Sequence, residues 1–200
     1  MQTSNERQRE LYQIAEAQGG YFTTKQAASL GYASNKRVYH VRVGNWLREQ
    51  RGIYRLALFP ESDHSDLMLW WLWSRDRSDQ PSGVYSHQTA LSLHELTDVN
   101  PSQLDMTVPP SFRRSVSVPR ILRLHYGHVS EAEQEVLFSV PVTGALRTIL
   151  DVWEEGSLPK AILRQAFQQA KTNGKITRKQ AADLLKDARY VSITRELEAA

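Results

Sequence analysis

The chain has 200 residues, of which 40% are hydrophobic and 24% charged, an ordinary balance with room for one medium domain or two small ones. It holds no cysteine, which excludes disulfides, thiolate metal sites, iron–sulfur clusters and a cysteine nucleophile. No apolar run approaches the ~18 residues that cross a bilayer, and the opening MQTSNERQRE lacks the apolar segment of a signal peptide. A cytoplasmic protein without membrane contact is expected.

The net charge of +3 hides an asymmetry. Residues 1–60 hold nine Lys/Arg and four acids, a local +5, whereas the remaining 140 carry −2. A basic end on an otherwise neutral chain is the footprint of a nucleic-acid module, although a merely solvating basic surface gives the same count.

In chain order, residues 5–18 read as a helix capped by Asn5 and ended by Gly19-Gly20. Thr23 or Thr24 caps a second helix, Lys25 to Leu30, stopped by Gly31. Ser34 caps a third, Asn35 to Val43, stopped by Gly44. Two short helices across a glycine turn make a helix-turn-helix pattern. Trp46 to Glu49 and Ile53 to Leu58 read as strands joined at Gln50-Arg51-Gly52, a hairpin in the place of a wing. Beyond it come a helix over 61–77, capped near Ser62 or Asp63, and a helix from Ser86 to about Leu96. Strands follow at Leu104 to Val108 and Ile121 to Tyr126, with a short extended piece at Val140 to Val142. Helices then span Gly144 to Trp153, Pro159 to Lys171 and Arg178 to about Tyr190, the first capped by Thr143 and the last by Thr177. The fold class is therefore α+β. A winged helix-turn-helix over 1–60 precedes a mixed α+β domain over 61–200 with a helical C-terminus.

In a helix-turn-helix the start of the second helix enters the major groove. Ser34, Asn35, Lys36, Arg37, Tyr39, His40 and Arg42 are the candidates here, with Val38 and Val41 facing the core. Arg suits guanine O6 and N7 and Asn suits adenine, while Lys, Tyr and Ser more often hold phosphate. Lys25 on the preceding helix and Arg48, Arg51 and Arg55 on the hairpin complete a DNA-binding set, with Arg51 at the tip. A winged helix that contacts protein instead is the plainer alternative.

The stretch Gly20-Tyr-Phe-Thr-Thr-Lys-Gln-Ala-Ala-Ser-Leu-Gly31, then Val38 to Gly44, Trp46-Leu47-Arg48 and Arg51-Gly52-Ile53-Tyr54-Arg55, resembles the N-terminal domain of AbiEi-type antitoxins. These are transcriptional regulators of bacterial abortive-infection, type IV toxin–antitoxin loci. The resemblance continues through Ser86-His-Gln-Thr-Ala-Leu91, Leu96-Thr-Asp98, Met106-Thr-Val-Pro109, Val140-Pro-Val-Thr143 and Leu146-Arg-Thr-Ile-Leu-Asp151. It implies a first domain that binds operator repeats in double-stranded DNA and represses its own operon. It also implies a second domain that neutralises a nucleotidyltransferase-like toxin.

No catalytic set stands out. The Glu-x-Lys of a common nuclease metal site does not occur, and Gly156-Ser157 lacks the paired aspartates of a nucleotidyltransferase. His125 and His128 diverge at a strand end, and Ser86 beside His87 reads as a helix cap. His94, Glu95 and Asp98 read as a helix end. Arg147 and Asp151, four apart, suit an ion pair or a partner-contact site. Of Trp70, Trp71 and Trp73, the first and last share a side, and burial against the first domain is expected. The expectation is a regulator that is not an enzyme and needs no metal or cofactor. The alternatives are a DNA-targeted, nuclease-like enzyme with a degenerate or unrecognised active site and a pure protein adaptor.

Overall fold

A computed structural model describes residues 3–61, 63–76 and 78–198. The chain divides into two compact units. One runs to Ser82 and includes Phe138–Val140, and the other comprises Gly83–Leu137 and the chain from Pro141.

The first unit begins with α1 (Ser4–Ala17). Its cap is Thr3 rather than Asn5: the Thr3 hydroxyl accepts from Glu6 N, and the Glu6 carboxylate accepts from Thr3 N. β1 (Tyr21–Thr23) leads into α2 (Thr24–Ser29), where Thr23 and Gln26 repeat the same reciprocal cap. α3 (Ser34–Arg42) follows the turn. Its N-cap is Ala33, which offers no side-chain acceptor, so Ser34 lies inside the helix instead of capping it.

β2 (Trp46–Gln50) and β3 (Ile53–Leu56) form an antiparallel hairpin with a register shift between Arg48 and Gln50. Gly52 turns it at φ +80°, a left-handed conformation that suits glycine. β1 pairs with the other side of β3, giving a three-stranded sheet in the order β1-β3-β2. The core beneath it gathers Leu11, Ala15, Phe22, Ala27, Tyr32 and Trp46. Gly20 sits so close to the Phe59 ring that a Cβ there would lie 2.7 Å from it.

α4 (Ser65–Trp73) packs on β1 and β3, so the first unit extends past residue 60. Its N-cap is His64, in a left-handed conformation, while Ser62 lies outside the described residues. Trp73 is buried with Leu67, Met68, Leu69 and Leu72, whereas Trp70 and Trp71 are only half-buried. Asp79 then ties the following loop down, pairing with Arg75 (2.9 Å) and accepting from the Thr23 hydroxyl (3.0 Å).

The second unit is built on a five-stranded sheet. β4 (Val84–Tyr85) precedes α5 (His87–Leu93) and β5 (Leu104–Val108). β6 (Leu122–Tyr126), a single 3-10 turn at Glu131–Glu133, β7 (Gln134–Leu137) and β8 (Val140–Thr143) follow. The order is β6-β5-β4-β8-β7, with β5–β6 and β4–β8 parallel and β4–β5 antiparallel.

α6 (Ala145–Glu155), α7 (Lys160–Thr172), α8 (Arg178–Leu184) and α9 (Val191–Glu198) complete it. The reading of one final helix to about Tyr190 is corrected to two, α8 and α9. The N-cap of α6 is Gly144, because the Thr143 hydroxyl is turned inward onto the Thr148 hydroxyl (2.7 Å). A helical core of Leu91, Leu96, Ile149, Leu163, Phe167 and Leu197 holds α5, α6, α7 and α9 together. Burying side chains of this size contributes about 1.5–3 kcal/mol each before the entropy cost of ordering them.

Candidate nucleic-acid interface

α3 contributes no residue to the buried core. Contacts from its inner side seat it. The Arg37 guanidinium donates to the Tyr32 carbonyl (2.7 Å), the His40 ring stacks on Trp46, and Val41 is partly buried. Asn45 donates from its amide to His40 Nδ1 (3.1 Å), which leaves the imidazole proton on Nε2. Burial, then the charge of Lys36, pushes the His40 pKa below its usual value and favours this neutral form.

These contacts sort the expected DNA-facing residues. Ser34, Asn35, Lys36, Tyr39 and Arg42 are exposed. Arg37 and His40 lie on the inward side, where they hold the helix rather than face outward. Val38, expected in the core, is 64% exposed. Val38, Tyr39 and Arg42 lie three, four and seven residues after Asn35, the spacing of a single helix face. That face therefore combines a guanidinium, an amide, a phenol and a small apolar side chain, the kinds of group that read base edges and thymine methyls.

On the hairpin, Arg48 and Arg51 are exposed, with Arg51 at the tip. Arg55 is not. It is 6% exposed, pairs with Glu61 (2.6 Å) and donates to the Phe59 carbonyl (2.9 Å), which fastens β3 to the segment that follows. Strand periodicity explains the difference, because Arg55 shares the inward face of β3 with Ile53. Lys25 is exposed in the first turn of α2.

In the second unit, Arg147 pairs with Asp151 (2.7 Å) and with Glu133 (2.7 Å). Both pairs border a cavity of about 620 Å³ that Glu135, Glu154 and Lys175 also line. Asp151 Oδ2 is buried there without a hydrogen-bond partner, and burial raises the Asp151 carboxyl pKa against the pull of Arg147.

A second polar cluster went unread in the sequence. The fully buried Asp105 accepts from Arg123 Nε and from His125 Nε2 (2.9 Å), so His125 serves the carboxylate and not a pair with His128. Burial works to raise the Asp105 pKa, but these hydrogen bonds outweigh it and hold the carboxyl below its usual range. The His87 ring stacks on His125 with centroids 3.5 Å apart, and His87 Nδ1 meets the Ser86 hydroxyl (2.9 Å). Ser86 is the N-cap residue of α5 as expected, but its hydroxyl is held by His87 and Thr107 and makes no cap hydrogen bond. Burial, reinforced by His125, pushes His87 down to about 4. Period-2 spacing carries only part of the signal, that Asp105 and Thr107 share one face of β5; the parallel register sets them opposite Arg123 and His125.

Among the described residues, no group of three His, Cys, Asp or Glu is arranged to hold a metal ion, and no helix is long and apolar enough to cross a membrane.

Residues 9–57, which run from α1 through the hairpin, match a family model. The family is described as transcriptional regulator, AbiEi antitoxin. The match covers about a quarter of the chain and includes every exposed candidate on α2, α3 and the hairpin. No curated protein matches the chain. The AbiEi-like segment is thus similar to regulators of transcription, and its helix-and-hairpin arrangement is the part of this protein in which that similarity resides.

Proposed function

We propose that the chain is a DNA-binding transcriptional regulator whose first unit is a winged helix-turn-helix, with α3 as the reading helix and the β2–β3 hairpin as the wing. One observation carries this reading: α3 leaves Ser34, Asn35, Lys36, Tyr39 and Arg42 in solvent while fully burying none of its residues. A helix held at its back and open at its front is suited to a groove. Asn35 and Arg42 read base edges, Lys36, Tyr39 and Ser34 hold phosphate, and Arg48, Arg51 and Lys25 extend the basic surface along the duplex. Arg37, His40 and Arg55 support this surface from behind.

The antitoxin part of the reading rests on the family description. The chain represses its own operon by binding operator repeats, and its second unit counters a nucleotidyltransferase-like toxin. The cavity beside Arg147 and Asp151 is the proposed contact, because a buried carboxylate oxygen without a partner is a place for a donor from another protein.

Fluorescence anisotropy with duplexes from the upstream region of the gene tests the DNA reading. Binding is expected to weaken steeply with salt, as neutralised phosphates release their counterions. Absence of binding at low salt refutes it. Co-purification with the product of the neighbouring gene, lost in Arg147→Ala, tests the antitoxin reading separately.

A further inference from the structure

The first unit carries a groove of about 740 Å³ between α1, α3 and the segment after β3. That volume lies within the range of small-molecule pockets, roughly 300–1,000 Å³. Its walls are strongly aromatic: Tyr12, Tyr32, Tyr39, His40, Trp46 and Phe59 all line it. Leu11, 2% exposed, and Trp46, 3% exposed, also border it, so its base is part of the rigid core. Tyr12 and Tyr39, 49% and 55% exposed, leave broad ring surface open to a guest.

The charges in the groove have one sign. Arg7 from α1 and Lys36 from α3 line it, and among the described residues no Asp or Glu does. Flat aromatic walls with two cations and no carboxylate match one class of ligand. From this we infer that the groove is a binding site for a planar aromatic anion, such as an aromatic carboxylate. Its ring packs against the exposed faces of Tyr12 and Tyr39, above the base that Leu11 and Trp46 border. Its carboxylate is met by Arg7 and Lys36 through charge-assisted hydrogen bonds.

The site has a consequence that rests on the DNA-binding reading. Lys36 and Tyr39 belong to both the groove and the exposed part of α3. A bound anion takes Lys36 away from phosphate and holds Tyr39 against the ligand, so ligand and DNA oppose each other. By linkage, the factor by which the ligand weakens DNA binding equals the factor by which DNA weakens ligand binding.

The test titrates the full chain with 2-naphthoate by calorimetry in the absence of DNA. Saturable binding is expected, weakened about tenfold or more in the Arg7→Gln/Lys36→Gln double variant and similarly for uncharged 2-naphthalenemethanol. Neither substituted residue is buried, and an unchanged melting temperature confirms that the variant is folded. No saturable heat, or equal affinity in the double variant, overturns the site. A dimer abolished by Leu58→Ser, at a residue 99% exposed on the groove's edge, assigns the groove to a second copy and also overturns it. Anisotropy with saturating 2-naphthoate then reads the coupling: DNA affinity falls about tenfold, and an unchanged affinity overturns the antagonism. Should the protein bind no DNA at all, the calorimetry still decides the site.

Discussion

The imidazole of His40 lies flat on the indole of Trp46, with ring centroids 4.6 Å apart and planes 13° from parallel. Trp46 opens β2 and meets Phe22 and Tyr32 edge-on at 4.8 and 5.1 Å, so this stack ties α3 to the hairpin and to the core at once. His40→Ala is expected to cost about 0.5–1.5 kcal/mol of stability and to weaken DNA binding by loosening α3. His40→Phe keeps the stack and restores most of both. Thermal melts and anisotropy on the two variants check this, and equal losses in both would refute it.

Arg42→Ala and Asn35→Ala act differently. Both residues are exposed and outside the core, so the melting temperature stays constant. DNA affinity falls by about 1–3 kcal/mol for a residue that reads a base, and more for the cognate than for a scrambled duplex. Arg51→Ala, at the hairpin tip, weakens both duplexes alike and lowers the salt slope by about one.

Arg55 belongs to folding. Glu61→Ala removes the carboxylate from a buried guanidinium and leaves the Phe59 carbonyl as its acceptor. An expected loss of about 1–2 kcal/mol follows from one charged hydrogen bond. Urea denaturation measures it, and a neutral effect would show that the pair contributes nothing.

The second unit loses stability as acid reaches its buried histidines. Folded His87 is held at about 4, below the 6.5 of an ordinary histidine. Between those values the unfolded chain binds more protons than the folded one. Stability is therefore full above pH 6.5 and declines as pH falls toward 4, by about 3 kcal/mol for His87 alone. His94, also depressed by burial, acts in the same direction. Asp105, whose pKa is depressed below 3.8, loses its contribution only at lower pH. Denaturation across this range is expected to show the decline, with a smaller slope in His87→Gln; an equal slope would refute the assignment.

Val38→Ala is expected to change stability by less than about 0.5 kcal/mol, as for an ordinary surface site. A larger loss by thermal melt would place Val38 in the core after all.

Short-range chemistry was legible in part: some caps and the hairpin turn were readable, while the caps expected at Asn5, Ser34 and Thr143 fall one or two residues away. Thr177 caps α8 as expected, Thr23 is the one of the two candidates Thr23 and Thr24 that caps α2, and the tight turn follows from Gly52. What escaped depends on partners distant in the chain. Val38 and Val41 are three apart, which suggests one face, but the inward surface of α3 is set by His40 finding Trp46 and Arg37 finding Tyr32. β7 was missed because its residues are exposed or half-buried and carry little alternation. The Asp105 cluster needs the parallel pairing of β5 with β6, which no local pattern specifies. Arg55 is the opposite case: its inward face was readable from Ile53 two residues earlier, and its charge concealed it.

The absence of buried residues from α3 has a consequence for change over time. A packed residue that changes disturbs its neighbours and its drift is limited by stability, whereas an outward one usually changes stability by less than about 0.5 kcal/mol. Here Asn35, Val38, Tyr39 and Arg42 can be exchanged while His40, Arg37 and Val41 keep the helix in place. On the proposed reading, a chain built this way acquires a new DNA target by substitutions at a few positions, and the fold exerts almost no veto over which ones.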